Sequence, residues 1–264
     1  MKKISLTIVM VVMSLFMISC SETTIRDLLD NELNGPNEYY EMMDGYWITI
    51  GGSLNSPAVN LYAELISVAG MLDEFYGNAE WDAENNRWVY QYSNETVVTT
   101  VYVMAGSENG EFDIEWTVYD GDTLLWEGSG SYHTGSKSLK TVFTTSGRKV
   151  WLQSVKSTDD TGYFTYVVYE DLNVPFNTPG VVSDPVYIAK IWARTDLTSI
   201  AGRVITSYPS ATPSFETFTA AAEEIYDNPP TDWDSWNTMP TASWYYFNYV
   251  SGIGLSQGWA SPAL

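Results

Sequence analysis

Three carboxylates at alternate positions, in the run Glu111-Phe112-Asp113-Ile114-Glu115, are the most suggestive chemical spacing in the chain. Side chains at i, i+2 and i+4 of an extended strand share a face. One strand can therefore place carboxylates on a sugar cleft. A second candidate is His133, which follows Gly128-Ser129-Gly130-Ser131-Tyr132. Ser131 and His133 would share a strand face, but no G-x-S-x-G elbow and no orienting acid at recognisable spacing accompanies them. Asp120-Gly121-Asp122, Asp159-Asp160 and the pair Asp232 and Asp234 suggest calcium, yet none forms the acidic loop with a distal Glu that a calcium hand uses. Asp and Gly at hairpin turns follow from turn geometry alone.

The acid-spaced run resembles the E-x-D-x-E strand of retaining glycoside hydrolases of the laminarinase and lichenase type. That resemblance implies a jelly-roll sandwich with Glu111 as nucleophile and Glu115 as acid/base. Phe112 stands where that family has an aliphatic residue, and the pattern does not continue after Glu115. A chain with 33 acidic residues also places acids on a solvated strand face by composition alone, so the chain is expected not to be an enzyme.

The first twenty residues carry a clearer signal. Lys2 and Lys3 precede an apolar run, Ile4 to Ile18, broken only by Ser5, Thr7 and Ser14, and Ser19 and Cys20 follow. This is the layout of a secretory signal, and the run is shorter than the ~20 residues a membrane-spanning helix needs. Met17-Ile18-Ser19-Cys20 resembles the lipobox of bacterial lipoproteins, which implies that Cys20 is acylated and that the chain is cut before it. Cys20 is the only cysteine. More than one acyl chain on one residue gives stable anchoring. Ser21 after the cysteine, in place of the Asp that retains such proteins at the inner membrane, points to the outer membrane or cell surface if the organism is diderm. Residues 1–19 contain two lysines and no acid, so their removal moves the net charge from −21 to −23.

Charge and composition exclude further classes. A strongly acidic chain repels phosphate backbones, which argues against a nucleic-acid partner. One His and one Cys exclude zinc clusters, disulfide frameworks and thiol redox pairs, and no cofactor is expected. With 45% apolar and 15% aromatic residues in 264, the chain can fill a core. Lys137, Lys140, Arg148, Lys149 and Lys156 gather in twenty positions and form a candidate basic patch for an acidic headgroup or partner protein. Lysines that protect a sheet edge would look the same. The tail from 231 to 259 holds Trp233, Trp236 and Trp244, a candidate platform for sugar rings or else a core plug.

Residues 21–33 read as a short helix closed by Gly35-Pro36, and residues 57–76 as a longer one, with Pro57 at its first position and Gly77 past its end. From 81 to 172 the apolar period changes to two. Strands are predicted near 87–93, 95–104, 111–119, 123–132, 138–145, 149–156 and 163–170, separated by short turns that can join only antiparallel neighbours. The strand at 163–170 is apolar on both sides and must be covered on both. Residues 186–193 are a possible further strand, 196–206 are ambiguous, 214–227 read as a helix, and the tail from 231 as irregular.

These features predict a signal peptide at 1–19 and one α+β domain at 20–264. That domain has N-terminal helices at 21–77, a meander at 81–172 and a C-terminal section at 173–264. The fold expected is a curved antiparallel β-meander, half-barrel or lipocalin-like, of about seven or more strands, with two to three helices and an irregular aromatic C-terminal section. The function expected is a lipid-anchored envelope protein that holds an apolar ligand, a lipid or a partner protein on its sheet. The alternatives are a surface glycan-binding protein that uses the C-terminal aromatics, and the hydrolase on Glu111 and Glu115.

Overall fold

A computed structural model describes residues 34–54, 79–106, 110–145, 147–171, 186–205, 225–226, 229–237 and 244–260. Cys20, the helices expected at 21–33 and 57–76, and all but two residues of the one at 214–227 lie outside these. Residues 35–264 form one compact unit.

Twelve antiparallel strands make one open sheet in strict sequence order. They are β1 (Glu80–Asp82), β2 (Arg87–Asn94), β3 (Val97–Ala105), β4 (Glu111–Asp120), β5 (Thr123–His133) and β6 (Ser138–Thr145), followed by β7 (Arg148–Lys156), β8 (Gly162–Asp171), β9 (Val186–Arg194), β10 (Ser199–Ile205), β11 (Trp244–Val250) and β12 (Gly254–Ala260). The seven strands predicted between 81 and 172 are present within two residues of their expected ends. Where about seven or more strands were expected the sheet has twelve: it continues through β9, the further strand offered at 186–193, through β10, and through a hairpin in the tail read as irregular. That tail also supplies a four-residue helix, Trp233–Trp236.

A second correction concerns the first described helix, α1 (Asn34–Ile50), which contains the Gly35-Pro36 pair read as a helix stop. Proline in a first turn gives up an N–H that has no helical acceptor anyway. Gly35-Pro36 therefore opens this helix. Tyr39, Met42, Met43, Tyr46 and Ile50 fall at three- and four-residue steps and are all buried.

The cross-strand register defines two faces. Tyr163, Thr165, Val167 and Tyr169 of β8 lie on the face that carries α1; Phe164, Tyr166 and Val168 lie on the far face. On the helix face, the Tyr39 hydroxyl meets Thr165 Oγ1 at 3.1 Å, and its ring packs edge-on against Tyr163 at 5.4 Å. The Tyr46 hydroxyl donates to Ser199 O at 2.6 Å, with Arg194 O at 3.0 Å, and accepts the Ser199 N–H at 3.1 Å. Gln257 of β12 donates to Ser53 O at 2.7 Å. From Glu38 to Ser53 the chain advances about 22 Å at 1.5 Å per residue, close to the roughly 24 Å between β7 and β12. The helix thus runs across the strands and bridges six of them.

On the far face, Trp151, Val155, Phe164, Tyr166, Val168 and Ile188 form a core with Ile225 and Trp236. Both sides of β8 are covered, as its two apolar faces require. Toward β2–β6 the same far face turns polar: along β4 the buried Phe112, Ile114, Trp116 and Val118 alternate with Glu111, Asp113, Glu115 and Thr117.

Candidate functional site

The far face of β9–β11 carries Lys190, Trp192, Ala201, Arg203, Trp244, Tyr246 and Asn248, matched through the pairs Arg203↔Lys190, Arg203↔Tyr246 and Ala201↔Asn248. The helix α2 (Trp233–Trp236) lies over them. Asp232 caps it by accepting the Ser235 N–H at 2.8 Å, as short acidic side chains do at helix starts. Its other end is held by two cations: Lys190 Nζ donates to Trp236 O and Arg203 Nη1 to Asn237 O, both at 2.9 Å. Cations at helix C-terminal carbonyls form charge-assisted bonds, so β9 and β10 fix how α2 is seated.

That seating separates the two tryptophans of α2. Trp236 is buried, packs edge-on against Phe164 at 5.4 Å and lies under Lys190 Nζ at 5.0 Å. Trp233, 6.0 Å from Trp236, is only partly buried: it packs against the same core and also joins Trp244 and Tyr246 around a cavity of about 260 Å³. Ala201 and the backbone of Gly202 also line it, together with Arg203, Phe247, Asn248 and Ala260. The Arg203 guanidinium lies 5.4 Å from the Trp244 ring centre. Burial lowers its pKa, and the charge of nearby Asp234 works in the opposite direction. The result is a groove with three aromatic rings, a small floor residue at Ala201, and one cation and one amide as polar contacts.

Of the three tryptophans selected from the sequence, Trp233 and Trp244 come together in the groove, while Trp236 belongs to the core. Tyr246, Asn248 and Arg203 were missed. The signal was the period of two in Trp244-Tyr245-Tyr246-Phe247-Asn248, which places alternate residues on one face once the segment is read as a strand.

The five clustered cations do not share a surface. Lys156 points to the helix face, where it contacts both Glu38, at 2.8 Å, and Asp160, at 2.6 Å; Lys137 reaches the same Glu38 at 3.6 Å. Burial disfavours the Lys156 charge, but the bonds to Asp160 and Glu38 outweigh it and hold the ammonium above its usual pKa. Lys140 and Lys149 fall on the far face by register, with Lys140 Nζ 6.0 Å from the Tyr226 ring centre, and Arg148 falls on the helix face.

Glu111, Asp113 and Glu115 do share the far face, opposite His133, Ser131 and Ser129 of β5. Burial first, and then the charges of Glu111 and Glu115, push the Asp113 carboxyl above its ordinary pKa. The Tyr226 hydroxyl donates to Glu111 Oε1 at 3.4 Å. A trough of about 380 Å³ runs between Met104, Asp113, Glu115, Ser129, Ser131 and Lys140, and no aromatic ring lines it. His133 Nδ1 accepts the Ser136 N–H at 3.3 Å and so closes its turn. Asp159 accepts from Ser157 and Thr161 within its own loop. Among the described residues no group of three or more His, Cys, Asp or Glu can hold a metal ion.

No family model, curated protein or solved structure matches this chain. No described helix is long and apolar enough to cross a membrane.

Proposed function

We propose that the protein is a lipid-anchored component of a bacterial cell envelope that binds glycans, without catalysis, in the groove of Trp233, Trp244 and Tyr246. The observation that carries this reading is the convergence of three rings with Arg203 and Asn248 around a cavity floored by Ala201. Sugar rings offer C–H faces that suit aromatic surfaces and hydroxyls that suit a guanidinium and an amide. The carboxylate trough on β4–β6 lacks such a platform.

The alternative of an apolar ligand on the sheet finds less support, since the described part of the helix face is occupied by Tyr39, Met43, Tyr46 and their partners. Val101, Ile114 and Phe143, on β3, β4 and β6, are also fully buried on that face. Their burial supports a sheet curled around it, as a half-barrel. The lipobox at Cys20 supports the anchor and Ser21 the outer-membrane address.

A glycan array probed with the signal-free chain tests the proposal. Trp244→Ala and Tyr246→Ala are each expected to weaken the best ligand at least tenfold, since each removes the buried area of a ring and about 0.5–1.5 kcal/mol of stacking besides, and about 1.4 kcal/mol is tenfold. Binding unchanged in both variants would remove the groove from the site.

A further inference from the structure

The groove contains an arginine that no carboxylate among the described residues pairs with. Arg87 is paired with Asp82 at 3.2 Å and Arg194 with Asp196 at 2.9 Å, and Lys156 lies between two acids. In a chain with 33 acidic and 12 basic side chains, such pairing is the expected state of a cation. Arg203 differs from these: among the described residues it makes one hydrogen bond, to Asn237 O, lies 5.4 Å from the Trp244 ring centre, and forms no ion pair with a carboxylate. Asp234 lies within electrostatic reach but not in contact. A guanidinium has five N–H donors in a planar fork that matches a carboxylate. With one Nη1 hydrogen spent on Asn237, the fork retains donors on a groove wall that is partly shielded from water.

Resting on the glycan reading above, we infer that the ligand of this groove is an acidic sugar, with Arg203 receiving a uronate-type carboxylate while Trp244 and Tyr246 stack on the ring. One source of selectivity follows. The carboxylate supplies a counter-charge that no described carboxylate gives Arg203, and a neutral sugar leaves that charge unpaired. The chain's overall negative charge opposes any anion, so the local pairing at Arg203 has to exceed that repulsion.

The test uses the signal-free chain and two probes with one backbone: an oligo-uronate, and the same oligosaccharide with its carboxyl groups reduced to alcohols. Calorimetric titration is expected to show at least a tenfold preference for the uronate, as a charge-assisted fork provides, and that preference should shrink as salt rises. Arg203→Gln is expected to erase the preference while binding to the reduced sugar persists. Arg203→Lys should retain part of it. Lys190→Met removes the companion bond to Trp236 O and should weaken both probes by the same factor. Equal affinity of the wild type for both probes overturns the inference and leaves the glycan reading intact. So does a preference that survives Arg203→Gln, or one lost equally in Lys190→Met, because Arg203 would then act only by seating α2. If neither probe binds and no neutral glycan on the array does, the glycan reading falls and this inference with it. Should Arg203→Gln fail to fold, Arg203→Lys and the salt dependence still decide the matter.

Discussion

Removing a single oxygen atom from Tyr46 tests how α1 is held to the sheet. Its hydroxyl sits at the mouth of the β9–β10 turn, accepting the Ser199 N–H at 3.1 Å and donating to Ser199 O at 2.6 Å. Burial, offset in part by those backbone bonds, pushes its pKa up to about 12, so it remains a donor at any physiological pH. Tyr46→Phe keeps the ring, including its edge-on contact with Tyr249 at 6.3 Å, and deletes only the polar bridge. An amide left without an acceptor costs about 1–3 kcal/mol when fully buried. Ser199 is half-buried, so water recovers part of that and the expected loss is ~1–2 kcal/mol. Tyr39→Phe should cost less, about 1 kcal/mol, because its partner Thr165 is a hydroxyl that can rotate rather than a fixed amide. Urea denaturation followed by tryptophan fluorescence measures both, and amide exchange at Ser199 reports the bridge directly. A Tyr46→Phe protein within about 0.5 kcal/mol of wild type, with Ser199 protection unchanged, would refute the idea that this bridge holds the helix.

Other consequences are simpler to test. Cys20→Ala should leave the precursor uncut and unlabelled by radioactive palmitate, and normal labelling would refute the lipobox reading. Gly202→Ala should destabilise by about 1–3 kcal/mol, because the added methyl meets the buried Phe247 ring; Gly52→Ala, with open space at its Cβ, should be neutral in the same melt. Asp113→Asn should stabilise at neutral pH. The folded carboxyl titrates above its usual 3.8, so the folded state binds the proton more tightly than the unfolded, and wild-type stability falls as pH rises through that window. The advantage of the variant should vanish below pH 3.8, and an advantage that persists there would show that charge is not its cause.

The strands between 87 and 171 were legible because most bury one face only, so polar and apolar residues alternate and the turns between them are rich in Gly, Asn and Asp. The elements that were missed lack that contrast. In Trp244-Tyr245-Tyr246-Phe247, Tyr245 and Phe247 are buried on the helix face while Trp244 and Tyr246 line the groove, and a strand with work on both faces shows no alternation. In α1 the spacing of Tyr39, Met42, Met43 and Tyr46 was present, but aromatic residues that favour strands and a Gly-Pro pair that also marks helix ends obscured it. Trp236 and Trp233 carry the same chemistry in the sequence, and only packing buries the first fully in the core and leaves the second between the core and the groove.

The sequence by itself determined the local features: the acidic balance, and the meander in which each strand from 87 to 171 pairs with the next through a short turn. These depend on neighbours in the chain, and neighbours are visible in a string of letters. Only the tertiary structure decided what lies on each face of the sheet. Arg203, Trp233 and Trp244 come from two strands and a helix, and they meet because β9 and β10 grip the end of α2 through Lys190 and Arg203. Alternation tells that a strand has two faces. What covers each face depends on segments far away in the chain, and so does the placement of Arg203 in the groove.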